Sequence, residues 1–281
     1  MKITEIIEKY GLDEAGKSSF LSYTANRFEG CEELPEPDTS FLELWESIAA
    51  YAGIVGASAA INTKVCPARP VEFRSPENVK IEILPSFAGR IPVISVFDTA
   101  DFEQLVTNVA HKGIRPDNIG QTGASFLSGK TTRFIILSAK PYSNVPASEL
   151  GLSDERDWAE KSLLLRRGHE CTHYFTKQTY GITNNILHDE VMADFIGMYE
   201  AFGFYKAEWF LRFMGVIEGS GGRMIYYTSE LSEKERLAAA ELLTEVSRRL
   251  EQWSLTDSFR QLSTPDRIRY MCRKGLSGLL E

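Results

Sequence analysis

Cysteine and histidine are both scarce in this 281-residue sequence, with four of each. Cys31, Cys66, Cys171 and Cys272 are far apart and form no CxxC pair, which excludes a disulfide framework as the basis of the fold. No apolar run is long enough for a membrane-spanning helix, which needs about 20 apolar residues. The longest run rich in Ala and Gly, residues 47–61, has 15 residues, and we interpret it as a buried helix.

Basic residues are outnumbered, because 31 Lys and Arg stand against 39 Asp and Glu and give a net charge of -8. Such a chain repels a phosphate backbone, so we expect no nucleic acid partner. Charged residues interrupt every apolar stretch near the N-terminus, which is not typical of a secretory signal. We therefore expect a cytoplasmic protein with no membrane association.

The pattern of apolar residues changes along the chain. Short β-branched runs occur at residues 71–74, 79–84, 91–97, 124–127 and 132–138, after a mainly helical start. From Asp154 onward the spacing is almost entirely helical, beginning with a long helix to about Gln178. These patterns predict an α+β fold. Its N-terminal lobe, residues 1–180, contains a small mixed sheet and helices, and its all-helical lobe is residues 181–281.

The longest predicted helix contains the sequence HECTH, which has the form HExxH. His169 and His173 lie one turn apart on the same face, so both imidazoles can bind one metal ion. Zinc is the ion expected, since a catalytic zinc takes imidazole ligands and keeps one position open for water. Glu170 lies beside the two ligands and is predicted to act as the general base.

A third ligand is expected on the next helix, which is predicted to begin at about Ile186. Glu190 is our choice, because an antiparallel helix would return its carboxylate to the metal. Asp194 follows one turn later, where it can accept the outer N–H of a ligand imidazole. His188 and Asp189 remain alternatives for the third ligand.

HExxH followed by ExxAD on a second helix resembles the gluzincin metallopeptidases, the thermolysin-like branch of the zincins. By that resemblance His169, His173 and Glu190 would be ligands of one zinc ion, Glu170 the general base and Asp194 their supporting carboxylate. The resemblance covers residues 169–194 only, and Asp189 stands where thermolysin's motif has Asn, which indicates a distant member.

The resemblance also implies a zincin-like fold, in which a mixed sheet precedes the active-site helix and its edge strand aligns a peptide substrate. Residues 132–138 are the strand expected at that edge. Zinc-dependent cleavage of a peptide or protein is therefore the leading interpretation. The alternatives are a non-catalytic, zinc-containing interaction or regulatory module, and a hydrolase of other substrates.

Attack on a carbonyl requires a donor that stabilises the oxyanion. The sequence offers four candidates near the expected cleft: Tyr180, Arg223, Tyr226 and Tyr227. Residues 124–131 fit a relaxed phosphate-loop pattern, but an apolar strand rather than a helix is predicted to follow them, which disfavours a nucleotide site. The segment 219–223, GSGGR, is interpreted as a hinge or loop.

Overall fold

The computed structural model describes residues 2–129, 133–184 and 186–281. Helices in these ranges are α1 (Ile3–Lys9), α2 (Glu14–Tyr23), α3 (Phe41–Val55), α4 (Ala57–Ala60), α5 (Thr99–Val109), α6 (Glu155–Tyr180), α7 (Leu187–Phe202), α8 (Ala207–Met214), α9 (Met224–Tyr227), α10 (Glu233–Ser254), α11 (Asp257–Arg260) and α12 (Thr264–Gly278). Strands are β1 (Val79–Ser86), β2 (Gly89–Val96), β3 (Ala124–Ser128) and β4 (Arg133–Ser138). The predicted α+β class is confirmed.

The strands form one mixed sheet in the order β1-β2-β4-β3. β2 and β4 are parallel, whereas β1 pairs with β2 and β3 pairs with β4 in antiparallel fashion. The prediction that residues 132–138 form the edge strand is therefore wrong: β4 is an inner strand, buried along its length, and Thr132 lies outside the described residues. The edge next to β4 is β3, whose residues are only half-buried.

Two further sequence predictions are corrected. Residues 47–61 do not form one buried helix, because Gly56 adopts a left-handed φ of 89° and separates α3 from α4, and Ile54 is 83% exposed. Residues 71–74 are not a strand. The backbone N–H groups of Arg74 and of the next residue, Ser75, donate to the Asp101 carboxylate near the start of α5 instead of to a neighbouring strand. In the described ranges no helix is both long and apolar enough to cross a membrane.

Helix α6 lies between two apolar clusters. The first joins α1 and α2 to the C-terminal helices and includes Leu165 of α6. The second joins the sheet to α3 and α5 and includes Cys171 and Tyr174 of α6. The HExxH helix is thus held on both sides, which keeps its side chains in a defined orientation. The division at residue 180 stays a prediction.

Candidate metal centre

The local sequence explains why α6 can present two histidines side by side. Its first turn is capped by the Asp154 carboxylate, which accepts from the backbone N–H groups of residues 156 and 157, and it ends at Gly181 with a left-handed φ of 72°. Within the helix the rings of His169 and His173 are 4.8 Å apart, and their Nε2 atoms are separated by 3.1 Å. The predicted placement of both imidazoles on one face is confirmed.

Helix α7 approaches α6 unusually closely because glycines meet at the crossing. A Cβ added to Gly197 would lie 2.5 Å from the Leu165 carbonyl oxygen, and one added to Gly168 would lie 2.9 Å from the Gly197 Cα. This contact brings Glu190 to the histidines, with Oε2 3.6 Å from His169 Nε2 and Oε1 3.5 Å from His173 Nε2. The close helix packing therefore decides whether the third side chain reaches the other two.

Ligand atoms of His169, His173 and Glu190 all lie within 4.8 Å of one another, and the three residues are buried. Two imidazoles and one carboxylate are a donor set that suits zinc, whose bonds to nitrogen are about 2.0 to 2.1 Å long. One ion can reach both Nε2 atoms at their separation of 3.1 Å. Ligands of this kind must be unprotonated, so binding would release any proton held between these groups. The residues present thus fit a metal ion.

Asp194 orients the first of these imidazoles. Its Oδ1 accepts the Nδ1–H of His169 at 2.8 Å, which leaves the Nε2 lone pair of that ring facing the cluster. The hydroxyl of Tyr142 donates to the same Oδ1 at 2.5 Å and lies 2.9 Å from His169 Nδ1. Tyr142 was missed by the sequence analysis, because it lies in a short turn after β4 and no local motif connects it to α6 or α7.

Arg223 contacts two carboxylates of α7, those of Glu190 and Asp194. Its guanidinium pairs with Asp194 Oδ2 and approaches Glu190 Oε2 at 3.5 Å, and it stacks over the Tyr142 ring at 5.1 Å. Burial would lower the pKa of Arg223, but Asp194 and the other anionic neighbours hold it well above its ordinary value. Burial would raise the pKa of Glu190, but the histidines and Arg223 lower it.

The four oxyanion candidates separate in the structure. Arg223, Tyr226 and Tyr227 line a cavity of about 440 Å³ together with His169, Glu170, His173 and Glu190. Tyr180 is not among the described residues that line this cavity; it packs against Phe28, with ring centroids 5.5 Å apart. Burial and the neighbouring Glu190 raise the pKa of Tyr227, so its hydroxyl remains a donor at neutral pH.

Glu170 forms part of the same cavity wall and is 8% exposed. Burial raises the pKa of its carboxyl above the ordinary value, partly offset by the two histidines. The edge strand β3 contributes Ala124, Ser125 and Phe126 to the opposite wall. The His-His-Glu cluster, a further carboxyl group and residues of an edge strand therefore share one cavity.

The alternative ligands point elsewhere. His188 Nε2 lies 3.1 Å from the Met271 carbonyl oxygen, and burial lowers the pKa of this ring to about 4. Asp189 accepts the backbone N–H of Asn184. Neither residue belongs to the cluster of ligand atoms found among the described residues.

Two other segments with suggestive sequences are structural. Residues 124–128 form strand β3, not a phosphate loop, while residues 130 and 131 lie outside the described ranges. The glycine-rich loop before Arg223 is packed rather than free: the Ser220 backbone N–H donates to Glu149 at 2.9 Å, and Gly221 leaves no space for a Cβ against the Arg212 carbonyl group. This loop supports α9 against the metal centre.

The fold and the site together define the molecule as an α+β protein with a buried His-His-Glu cluster. The chain belongs to a family of unknown function, DUF7005, whose model matches residues 57–132 and 130–279. No curated protein and no solved structure matches the chain.

Proposed function

We propose that the protein is a zinc-dependent hydrolase of the gluzincin type that cleaves peptide bonds. The observation that carries the proposal is the convergence of His169, His173 and Glu190 at the wall of a cavity that Glu170 also lines. A purely structural cluster would have no need of an open cavity or of a carboxyl group beside it.

The identity of the metal rests on the donor set. Two imidazoles and one carboxylate are the ligands of known catalytic zinc sites. A structural zinc would be expected to have a fourth protein ligand. His188 and Cys171 carry suitable donor atoms but are engaged elsewhere: His188 with Met271, and Cys171 in the apolar cluster next to the sheet. This arrangement favours a catalytic site over the non-catalytic module. The order of sheet, HExxH helix and helical lobe supports a zincin-like fold.

Each residue has a distinct role in the proposed reaction. When bound, zinc supplies Lewis acidity, which polarises a carbonyl group and acidifies water. Glu170 accepts a proton from water and returns it to the leaving amine. Asp194 keeps His169 in the tautomer that presents Nε2, and Arg223 balances the charge of Asp194 and Glu190. Tyr226 and Tyr227, which line the cavity, are the proposed hydroxyl donors to the oxyanion.

The substrate class follows from the shape of the site. β3 is a sheet edge next to the cavity, and an extended segment can add to such an edge through main-chain hydrogen bonds. The proposed substrate is therefore a peptide or protein segment in an extended conformation, in the cytoplasm.

The test combines metal content with hydrolysis of a fluorogenic peptide library. Glu170→Gln should retain about one zinc per chain, as the wild type does, and lose at least about 100-fold in turnover, because it removes only the base. Glu160→Gln, on the exposed face of the same helix, is the matched control and should keep wild-type activity. Glu190→Ala should lose the metal.

Each other outcome is informative. Wild-type protein that binds no metal after zinc supplementation would refute the metal centre. Equal turnover in wild type and Glu170→Gln would refute the role of the base. Stoichiometric zinc without cleavage of any library peptide would favour the non-catalytic module.

A further inference from the structure

A second cavity lies on the face of the sheet opposite α6. Phe126 of β3 packs towards Tyr174 of α6, with ring centroids 6.0 Å apart, so its neighbour Leu127 points to the other face. There Leu127 and Phe134 line a cavity of about 280 Å³ together with Trp45, Ile48 and Val109. This volume is near the lower limit for small-molecule sites, and these walls are apolar.

The described charged residues that line this cavity are all positive. Lys64, Arg69 and Lys112 line it, and no Asp or Glu is among the described lining residues. None of the three has a carboxylate within ion-pair distance in the described ranges, although the chain has a net charge of -8. All three side chains are exposed, and the Lys64 ammonium lies 5.1 Å from the Tyr51 ring centroid, so together they give this cavity a positive potential that would attract an anion.

Local structure holds two of these cations in place. Asn108 Nδ2 donates to the Arg69 carbonyl oxygen at 2.9 Å, and Gly113 packs against the Arg69 side chain so closely that a Cβ would lie 2.9 Å from Cδ. Lys112 has a φ of 55°, in the left-handed region that residues other than glycine rarely adopt. Strained backbone of this kind is more frequent at ligand sites than elsewhere.

The cavity wall also contains a donor without an acceptor. Trp45 is 2% exposed, and its Nε1 has no hydrogen-bond partner among the described residues. This nitrogen has almost no accessible surface, so Trp45 contributes to the cavity wall through other atoms of its ring. Burial raises the pKa of Cys66, another wall residue, to about 11, so its thiol adds no negative charge at neutral pH.

We propose that this cavity binds a small amphipathic carboxylate, with its apolar body between α3 and the sheet and its carboxylate among Lys64, Arg69 and Lys112. Both parts of the ligand are required by the walls: the apolar residues exclude a bare anion, and the three cations select against a neutral or cationic amphiphile. The proposal does not depend on metal binding or catalysis, because the site lies on the other face of the sheet.

Calorimetric titration of the full chain with octanoate tests the proposal, with 1-octanol, octylamine and acetate as comparison ligands. Octanoate should bind saturably at one site, and each comparison ligand should bind at least about tenfold more weakly. Lys112→Gly removes one cation and suits the left-handed backbone, so it should fold normally and bind octanoate about threefold to tenfold more weakly. Lys80→Gln, an exposed position on β1 outside the cavity, is the control and should bind as the wild type does.

Tryptophan fluorescence locates the bound ligand. Octanoate should change the emission of the wild type but not that of Trp45→Phe, which removes the reporter in the cavity wall. Equal affinity for octanoate and 1-octanol, wild-type affinity in both Lys112→Gly and Arg69→Gln, or no saturable binding of octanoate would each overturn the proposal.

Discussion

Replacing Gly197 by Ala should separate the two helices that carry the proposed metal ligands. A Cβ at this position would lie 2.5 Å from the Leu165 carbonyl oxygen and 3.0 Å from the His169 backbone nitrogen, whereas ordinary contact begins at 3.4 Å. The nearer contact is with backbone, which cannot rotate away, so α7 must shift by about 0.9 Å. Overpacking of this kind costs about 1 to 3 kcal/mol in the free energy of unfolding.

The same shift should weaken metal binding. Metal–ligand distances tolerate errors of about 0.2 Å, and Glu190 moves with α7 while both histidines stay on α6. We expect the zinc affinity to fall at least about tenfold, as measured by competition with a chelating dye. Urea denaturation of the metal-free protein would report the loss of stability separately.

Gly53 provides the matched control for this substitution. It lies in helix α3, is exposed, and has no heavy atom within 4 Å of an added Cβ. Gly53→Ala should therefore stabilise the protein by about 0.5 to 1 kcal/mol and leave zinc affinity unchanged. If Gly197→Ala matched Gly53→Ala in both stability and zinc affinity, the close approach of α6 and α7 would not be what positions the site.

Two further predictions concern buried side chains. Tyr142→Phe removes a donor to Asp194 and should lower zinc affinity about tenfold to 100-fold. The control Tyr205→Phe removes a buried hydroxyl without a partner in the described ranges and should leave zinc affinity unchanged. Equal dye-competition constants for the two variants would contradict the role of Tyr142. The lowered pKa of His188, about 4 against an ordinary 6.5, means that the unfolded chain takes up this proton first as pH falls. In metal-free protein the contribution of His188 to the free energy of unfolding should thus be fully present above pH 6.5 and fall towards pH 4, by up to about 3 kcal/mol. His188→Gln should flatten this pH dependence. Denaturation curves with the same pH dependence in wild type and His188→Gln between pH 6.5 and pH 4 would refute the prediction.

The features that the sequence predicted correctly depend on short separations along the chain. The geometry of His169 and His173 follows from helical spacing alone, and the predicted extent of their helix, Asp154 to about Gln178, agrees closely with α6. The position of Glu190 followed from the turn after α6 and the antiparallel direction of the next helix, α7.

Only the tertiary structure decided which residues support the cluster and which strand forms the edge of the sheet beside the cavity. Tyr142 and Arg223 reach Asp194 from segments 52 and 29 residues away, and no local pattern encodes such contacts. The edge position of β3 depends on strand order, since apolar alternation describes the two faces of a strand but not its neighbours. Capping and periodicity are local effects, whereas the support of the cluster and the order of the sheet arise from long-range packing. For this reason the sequence by itself determined the helices that carry the His-His-Glu cluster but not their surroundings.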